Sequence, residues 1–328
     1  MIAKERGIPI RILKLESLLK RLPANHSKRL RIEEDLAIAK AGFRGEQSID
    51  YYLDFLPNLD YTFLHDLRLP IRQQFFQIDT LLLTPYYLLI IEMKNIAGTI
   101  YFDDVFQQMI RIVDEKEERF INPILQTDRQ KLLLKEWLRL YGYLEAPIYT
   151  VAVFSNPKAI IKTSANNHRI AQNIIQIEQL PHYLTNLAQN QPTEIFKKKD
   201  IQKISFLLNK HHTFIESDIL AWYQISENEI RKGIQCPKCH QFSMDRIKRK
   251  WECPSCQHRS KDAHILALKE YYFLIRSTIT NKQLRDFLQV SGCRIASHLL
   301  YILNLPSSGP SKCRAYDLKP ICSNNQLD

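Results

Sequence analysis

The stretch QIDTLLLTPYYLLIIEMKNIAG, residues 77–98, determines which fold the chain can adopt. Two apolar runs separated by a short proline-containing turn predict neighbouring β-strands. Asp79 starts the first run, and the second carries Glu92 and Lys94. Because residues i and i+2 of a strand point to the same face, Glu92 and Lys94 would project together. Two carboxylates and an ammonium at one sheet edge can bind a divalent metal and activate water. In the alternative interpretation, Asp79 caps a turn and the other two form an exposed ion pair.

The elements around this stretch predict an α/β sheet flanked by helices. In chain order we expect a helix over 28–56, strands over 61–67, 75–83 and 87–94, a helix over 124–141 and strands over 147–154 and 174–177. A further helix is expected from Pro181. Residues 98–102 are expected to continue the three-strand meander. The segment 103–119 has no clear pattern.

Charge is distributed unevenly along the 328 residues, whose net charge is +11. By segment the net charge is +7 over 1–31, −6 over 32–230, +6 over 231–262 and +4 over 263–328. A basic excess favours nucleic acid through phosphate neutralisation. We therefore expect the two ends to bind the polyanion, and the acidic middle to accept it best with metal cations bound.

Segments that would direct the chain to a membrane are not evident. No apolar run reaches bilayer-spanning length, and no signal-peptide pattern follows the charged start, which predicts a cytoplasmic protein. Residues 8–22 mix apolar and basic positions. They predict a short amphipathic helix that packs on the main domain rather than lying on a membrane surface.

Four of the seven cysteines form two Cys-Pro-x-Cys pairs separated by 13 residues, Cys236 with Cys239 and Cys253 with Cys256. This spacing predicts a ribbon whose four thiolates bind a structural Zn²⁺. A redox dithiol is the alternative. Because so small a module buries little apolar surface, zinc would provide much of its stability. The residues expected around the site are Phe242 and Trp251 as a small core, and His240 and His258 as surface residues that could replace a ligand.

Candidate nucleic-acid contacts lie between and after these pairs. Lys248-Arg249-Lys250 is either a phosphate-contacting patch or a solvated turn. Helices are expected over 263–276, 281–288 and 294–303. The last two are similar to a helix-turn-helix that would present Arg294, Ser297 and His298 to a groove, although an ordinary helical hairpin explains the pattern equally.

Five motifs between residues 42 and 155 occur in an order typical of one family. They are Gly42-Phe-Arg-Gly45-Glu46, Gln77-Ile-Asp79, Ile91-Glu92-Met-Lys94-Asn95 with Gly98, Asn122-Pro123-x-x-Gln126, and an apolar strand that ends in Phe154. This region resembles the nuclease-related domain, often called NERD, of the PD-(D/E)XK superfamily. It departs from the family at Thr80, where a histidine is common, and at 106–109, which stands where a tryptophan is usual.

The resemblance implies a restriction-endonuclease-like mixed sheet and metal-dependent hydrolysis of phosphodiesters. The implied catalytic residues are Asp79, Glu92, Lys94, Glu46 and Gln126. Asp79 and Glu92 would hold Mg²⁺ or Mn²⁺, Lys94 would act on the attacking water or the phosphate charge, and Glu46 and Gln126 would complete the site.

The predicted protein is therefore a nuclease of DNA processing. Its expected partner is nucleic acid, with DNA favoured over RNA, and no membrane. The alternatives are a catalytically silent nucleic-acid-binding or regulatory protein on the same fold, and a domain that binds protein partners. The predicted divisions are a basic helical extension over 1–40, the nuclease-related domain over 41–195, connecting helices over 196–230, the zinc ribbon over 231–262, a helical DNA-binding-like domain over 263–305 and a disordered tail over 306–328.

Overall fold

The computed structural model describes residues 1–56, 60–103, 105–164, 168–191, 193–214, 217–310 and 313–323. The chain divides into two compact units. The first unit is Met1–Ile8 with Lys40–Ile215, and the second unit is Pro9–Ala39 with Glu216–Asp328. The predicted extension over 1–40 is thus not one body, because its first residues add a strand to one unit and the remainder packs within the other.

The helices are numbered along the chain. They are α1 (Ile10–Arg21), α2 (Arg29–Leu53), α3 (Pro123–Arg139), α4 (His168–Asn173), α5 (Leu180–Gln189), α6 (Lys198–His211), α7 (Ile219–Tyr223), α8 (Ala263–Leu274), α9 (Asn281–Leu288), α10 (Cys293–Ile302) and α11 (Lys319–Ser323).

The strands are numbered in the same way. They are β1 (Ile2–Lys4), β2 (Thr62–Ile71), β3 (Gln74–Leu83), β4 (Leu88–Lys94), β5 (Gly98–Asp103), β6 (Gln108–Val113), β7 (Lys116–Phe120), β8 (Ile148–Phe154), β9 (Ala159–Thr163), β10 (Ile174–Gln176), β11 (Asp245–Ile247), β12 (Lys250–Glu252), β13 (Arg259–Ser260), β14 (Thr278–Thr280), β15 (Ser307–Ser308) and β16 (Ala315–Asp317).

The main sheet of the first unit has the strand order β1-β2-β3-β4-β8-β10. Strands β2, β3 and β4 form an antiparallel meander, while β1, β8 and β10 run parallel to their neighbours. The meander turns at Thr84, whose side-chain oxygen accepts hydrogen bonds from the backbone N–H groups of Tyr86 and Tyr87. The predicted mixed α/β architecture, with sheets flanked by helices, is confirmed.

Helices cover both faces of this sheet because its central strands are apolar on both sides. Leu88 and Ile90 of β4 lie in a core with α3 and α6, whereas Leu89 and Ile91 lie in a core with α2 and α5. This alternation follows the two-residue period of a strand. Continuous apolar strands of this kind require a layer on each side.

A smaller sheet with the order β7-β6-β5-β9 starts immediately after β4. The prediction that residues 98–102 continue the meander is therefore wrong. Gly98 has a φ of 106°, and a Cβ on it would lie 2.6 Å from Val113 Cγ2. The chain changes direction at this glycine, and the unpatterned segment that follows forms the hairpin β6–β7.

The second unit joins the cysteine module to the C-terminal helices. Trp251, Cys236 and Cys253 share one apolar core with Leu268 of α8 and Phe287 of α9. The predicted ribbon over 231–262 and helical domain over 263–305 are thus not separate bodies. Helix α1 was predicted to pack on the main domain, but it belongs to the second unit, where its Leu15 and Leu18 lie in a core with α7 and α8.

A buried ion pair also ties α1 to this unit. Arg21 donates to Glu270 Oε2 at 2.7 Å and to the carbonyl of Arg231 at 2.7 Å. Its guanidinium lies 4.2 Å from the ring centre of Phe287 and 5.2 Å from that of Phe242. Phe242, expected as ribbon core, therefore stacks on a residue of α1.

The C-terminal tail departs from the predicted disorder over 306–328. Strands β15 and β16 pair with each other and β16 pairs with β14, so residues on both sides of Gly309 belong to a sheet. Leu318 is fully buried, which anchors the segment after β16. Residues 311–312 and 324–328 lie outside the described part of the chain. None of the described helices combines the length and apolar character needed to cross a membrane.

Candidate active site and cysteine cluster

The candidate active site lies where β3 and β4 separate. Their pairing ends at Thr80 with Ile91, whereas β4 continues beside β8 as far as Lys94. In the resulting opening the N–H of Met93 donates to Asp79 Oδ2 at 2.9 Å. The Asp79 side chain thus takes a hydrogen bond that a neighbouring strand would otherwise receive.

Glu92 is the most enclosed carboxylate of the site, at 3 % exposure. Its Oε1 accepts from Lys94 Nζ at 2.6 Å and from Gln126 Nε2 at 2.6 Å, and its Oε2 accepts from Gln130 Nε2 at 2.9 Å. Lys94 also donates to Gln126 Oε1 at 3.0 Å. A carboxylate has about four lone-pair positions, so these three donors leave about one for a cation.

Helix α3 supplies both amides because it begins beside the site. Asn122 caps it by accepting from the N–H of Ile124 at 3.0 Å. Gln126 and Gln130 are four residues apart and therefore share a face. Gln130 was not predicted, although its spacing from Gln126 could have indicated it. It also donates to the carbonyl of Gln77 at 2.9 Å, and its buried Oε1 has no hydrogen-bond partner among the described residues.

Helix α2 brings Glu46 to the site through a close approach at Gly45. A Cβ on Gly45 would lie 2.4 Å from Asn95 Cβ, so only glycine permits this contact. Asn95 in turn donates to the carbonyl of Ala41 at 2.6 Å. Burial raises the pKa of Glu46 to about 7, against the opposing effect of the nearby Arg6 guanidinium.

Arg6, which follows β1, was missed by the sequence analysis. Its side chain is 4 % exposed and its Nη1 lies 3.3 Å from Glu46 Oε2. Its Nη2 lies 2.8 Å from His65 Nδ1 and 3.3 Å from Thr80 Oγ1. Because a guanidinium only donates, Nδ1 of His65 is the acceptor. Burial, with the neighbouring charges of Arg6 and Lys4, lowers the pKa of His65 to about 3, so this imidazole is neutral.

Asp79 is partly buried and is repelled by the negative charges of Glu92 and Glu46. Its pKa is raised well above the usual range, first by burial and then by the charges of Glu92 and Glu46. A bound cation would relieve this repulsion, and carboxylate oxygens suit Mg²⁺ or Mn²⁺. The three carboxylates do not form a compact trio. Among the described residues, the group of three or more His, Cys, Asp or Glu ligand atoms within 4.8 Å of one another consists of the four cysteines. Asp79 and Glu92 therefore remain the principal candidate ligands.

The five predicted catalytic residues are thus brought together from four elements. Asp79 lies on β3, Glu92 and Lys94 on β4, Glu46 on α2 and Gln126 on α3. They all belong to the first unit.

The predicted nucleic-acid contacts belong to the second unit. Lys248, Arg249 and Lys250 are exposed at the turn between β11 and β12. Arg294 and His298 are exposed on α10. Ser297 is exposed too, but its Oγ accepts from Asn281 Nδ2 at 2.9 Å and thereby links α10 to α9.

The four predicted zinc ligands converge. Cys236 Sγ lies 3.6 Å from Cys256 Sγ, and Cys239 Sγ lies 3.5 Å from Cys253 Sγ. Zn–S bonds of about 2.3 Å in a tetrahedron give sulfur–sulfur distances of about 3.8 Å, whereas a disulfide requires about 2.05 Å. The cluster is therefore consistent with a structural zinc site, and its four thiols are free.

The two Cys-Pro-x-Cys turns have the same backbone. The N–H of Cys236 donates to the carbonyl of Gln241 at 2.8 Å, and that of Cys253 to the carbonyl of His258 at 2.9 Å. The residue that follows each pair has a positive φ, which is 60° at His240 and 58° at Gln257. His240 is exposed and His258 is partly exposed, in line with the expected surface positions.

Comparison with known proteins bears on the first unit. Residues 41–155 match the family model of the nuclease-related domain, about a third of the chain. Comparisons with curated proteins and with solved structures give no match. The match includes Glu46, Asp79, Glu92, Lys94 and Gln126, while Arg6, α6 and the cysteine cluster lie outside it. The chain therefore contains a nuclease-related domain at residues 41–155.

Proposed function

We propose that this protein is a metal-dependent nuclease that hydrolyses phosphodiester bonds in nucleic acid. The observation that carries the proposal is the grouping of Asp79, Glu92 and Lys94 at the opening between β3 and β4, inside the matched nuclease-related domain. Metal-dependent hydrolysis of a phosphodiester can use carboxylates that hold the cation together with a group that acts on the attacking water.

Each side chain has a proposed task. Asp79 and Glu92 would hold Mg²⁺ or Mn²⁺, which when bound supplies charge stabilisation for the phosphate and an acidified water. Lys94, held by Glu92 and Gln126, would orient that water or neutralise charge developing on the phosphate. Gln126 would hydrogen-bond the water, and Glu46 would complete the cation site or orient Lys94.

Residues of the second unit support three more specific proposals, which concern the substrate, a structural metal and the compartment. The exposed Arg294 and His298 on a helix pair similar to a helix-turn-helix support DNA over RNA as substrate. The four converging thiols support a resident structural Zn²⁺. Free cysteines throughout the described chain suit a reducing compartment, which supports a cytoplasmic role in DNA processing.

One observation favours a second candidate, a nucleic-acid-binding protein without turnover. Glu92 already accepts three hydrogen bonds from protein donors, and Lys94 is one of them. If Lys94 does not release Glu92, the carboxylate keeps only about one free position for a cation, and Lys94 is not free to act on the attacking water.

A cleavage assay separates the two candidates. Single- and double-stranded DNA and RNA are incubated with the wild-type protein in Mg²⁺, Mn²⁺ or EDTA, beside Asp79→Asn, Glu92→Gln and Lys94→Met. The control is Glu117→Gln, which changes an exposed carboxylate of β7 in the same domain. We expect metal-dependent cleavage by wild type and control and a loss of at least about 100-fold in the three variants.

Two other outcomes of the assay would each contradict the nuclease proposal. Wild-type protein that binds nucleic acid but cleaves none of the substrates would establish the second candidate. Cleavage that survives in all three variants would assign the activity to another site or a contaminant.

A further inference from the structure

Helix α6 is part of the first unit and not the connecting helix that the sequence predicted. Ile201, Ile204 and Leu208 are buried in the core that α3 and the main sheet share. Asp200 caps its start by accepting from the N–H of Lys197 at 3.0 Å. One face of α6 is thereby fixed against the sheet that carries the candidate active site.

The opposite face carries a basic stripe, defined here as Lys199, Lys203, Phe206 and Lys210. All four side chains are exposed, and Phe206 is 64 % exposed. At about 100° per residue the four positions fall within an arc of about 60°, centred opposite the buried face. At 1.5 Å per residue the stripe is about 16 Å long. None of its lysines forms an ion pair with another described residue.

The stripe ends near the site. After α6, the N–H of Thr213 donates to the carbonyl of Arg68 at 2.9 Å, and His212 Nδ1 accepts from the N–H of Arg68 at 3.1 Å. Arg68 pairs with Gln77 in the β2–β3 ladder, two positions before Asp79. The Lys210 end of α6 is therefore joined to β2, whose neighbour β3 carries Asp79.

Charge supports a polyanionic ligand at this face. The first unit contains 22 basic and 20 acidic residues. Lys197, Lys198, Lys199, Lys203 and Lys210 belong to this total, so the unit would be net acidic without them. The expectation that the two ends of the chain bind the polyanion did not include this helix, because the net charge over 32–230 combines its lysines with the acidic residues of that segment.

We propose that the basic stripe of α6 binds a single-stranded segment of nucleic acid. Its lysines contact successive phosphates and Phe206 stacks on an unpaired base, the combination that single-strand-binding surfaces use. The bases of a duplex are already paired and stacked on one another, so Phe206 would find no free base face there. A single strand offers such a face and therefore fits the stripe better. That the bound strand leads to Asp79 and Glu92 rests on the proposed nuclease function, whereas the binding itself does not.

Binding is measured on the full chain by fluorescence anisotropy with a labelled 20-nucleotide DNA single strand. EDTA is present, so that cleavage does not interfere. The test variant is Lys199→Ala/Lys203→Ala/Lys210→Ala. The matched control is Lys116→Ala/Lys158→Ala/Lys162→Ala, which removes three exposed lysines on or next to the smaller sheet of the same unit. Circular dichroism checks that both variants fold.

The salt dependence gives the first result. Each phosphate contact contributes about 0.7 to the slope of log K against log salt concentration on a single strand. The test variant should therefore lose about 2 from the wild-type slope, and the control should keep it. An unchanged slope in the test variant, or an equal loss in the control, would overturn the proposal.

Phe206→Ala gives the second result. Stacking on one base corresponds to roughly a 5- to 150-fold change in affinity, without a change of salt slope. Phe55→Ala, which removes another exposed phenylalanine of the first unit, is the control and should bind as wild type. If Phe206→Ala binds the single strand normally, or if the stripe variants lose poly-glutamate binding to the same extent, the surface is not a single-strand site.

The two proposals fail separately. Wild type that binds through the stripe but never cleaves would end the nuclease proposal and leave this inference intact. If the wild type cleaves nucleic acid and the stripe variants bind the single strand with wild-type affinity, the nuclease proposal stands and this inference is overturned.

Discussion

Glu92 shows how a single buried residue can be stabilised and still be available for chemistry. Burying a carboxylate is unfavourable unless it is paired and hydrogen-bonded. Lys94 supplies the charge, and the amides of Gln126 and Gln130 supply donors to each oxygen. The amides also fix the rotation of the carboxyl group, so a cation at this proposed site would meet the free lone pair of Glu92 from a defined direction.

Gln130 should therefore act as a positioning residue for Glu92. In Gln130→Met, Oε2 of Glu92 loses its donor while the volume is nearly kept, and we expect metal affinity and cleavage to fall roughly 10- to 100-fold. Mn²⁺ titration by calorimetry and the cleavage assay measure the two effects. Lys131→Ala, an exposed change on the same helix, is the control. Wild-type metal affinity in Gln130→Met would show that Lys94 and Gln126 suffice.

His65 contributes to the pH dependence of stability in the first unit, and the sign of its contribution follows from its pKa. Its pKa is lowered to about 3 in the folded chain, mainly by burial, against about 6.5 when unfolded. Below pH 6.5 the unfolded chain binds a proton that the folded chain does not. The contribution of His65 to the free energy of unfolding should therefore decrease as pH falls from about 6.5 towards 3, by up to about 1.4 kcal/mol per pH unit, whereas the raised pKa values of Glu46 and Asp79 contribute in the opposite sense.

Nuclear magnetic resonance of labelled histidine tests this directly. The folded protein at pH 5 should show a neutral His65 ring protonated on Nε2, since Nδ1 accepts from Arg6. A His65 imidazolium at pH 5 in folded protein would contradict the burial argument.

Arg6 marks a limit of sequence reasoning at this scale. The carboxylates, the lysine and Gln126 could be predicted, because their spacing along strands and a helix places them together. Arg6 is 40 residues from Glu46 and 59 from His65 along the chain, and no local pattern connects them. Only the pairing of β1 with β2 brings it to the site.

Among the elements, α2 and β4 depend on one glycine for their contact. Gly45→Ala would place a Cβ 2.4 Å from Asn95 Cβ and 2.9 Å from Ser155 Oγ. Since the first contact is not with the far end of a flexible side chain, the elements must move apart. We expect the free energy of unfolding to fall by about 1–3 kcal/mol and Glu46 to be displaced.

Gly42→Ala is the matched control on the same helix. A Cβ there meets no atom within 4 Å, so the change should stabilise the helix by about 0.5–1 kcal/mol. Chemical denaturation followed by circular dichroism compares the two. Equal effects of the two substitutions would mean that α2 has room to shift from β4.

The elements that could be predicted are those with a strong period. The meander, the helix α3 and the strand β8 follow from apolar runs and caps that lie within each element. The turn of the chain at Gly98 into a second sheet could not be predicted, because it depends on contact with Val113 on a later strand. In the hairpin β6–β7, the apolar residues of β6 do not alternate with polar ones and β7 is largely charged and exposed, so the hairpin has little periodic signal.

At the scale of the whole molecule, division into two units was not evident from the order of the chain. The second unit contains α1 and the C-terminal third, which only long-range packing joins. The spacing alone predicted that the four cysteines converge in a cluster that could hold zinc. It did not indicate that Cys236 and Cys253 lie in a core with α8, α9 and α10, because that core is built from segments far apart in the chain.

This shared core changes what zinc removal should do. Two pairs of cysteine sulfurs lie 3.5–3.6 Å apart, and as thiolates the four would repel one another unless a bound cation compensated their charge. Since two of them are part of the core, loss of zinc should loosen the C-terminal helices and not only the ribbon.

The final prediction compares two cysteine substitutions. Cys253→Ser should lose the zinc that elemental analysis finds in wild type, and hydrogen exchange should then speed up in α8, α9 and α10 while β2, β3 and β4 stay protected. Cys293→Ser changes an exposed thiol outside the cluster and should retain both zinc and protection. If wild-type protein purified without chelators contains no zinc, the prediction of a structural zinc site is wrong. Zinc loss without faster exchange would show instead that the apolar packing of Trp251, Leu268 and Phe287 holds the second unit by itself.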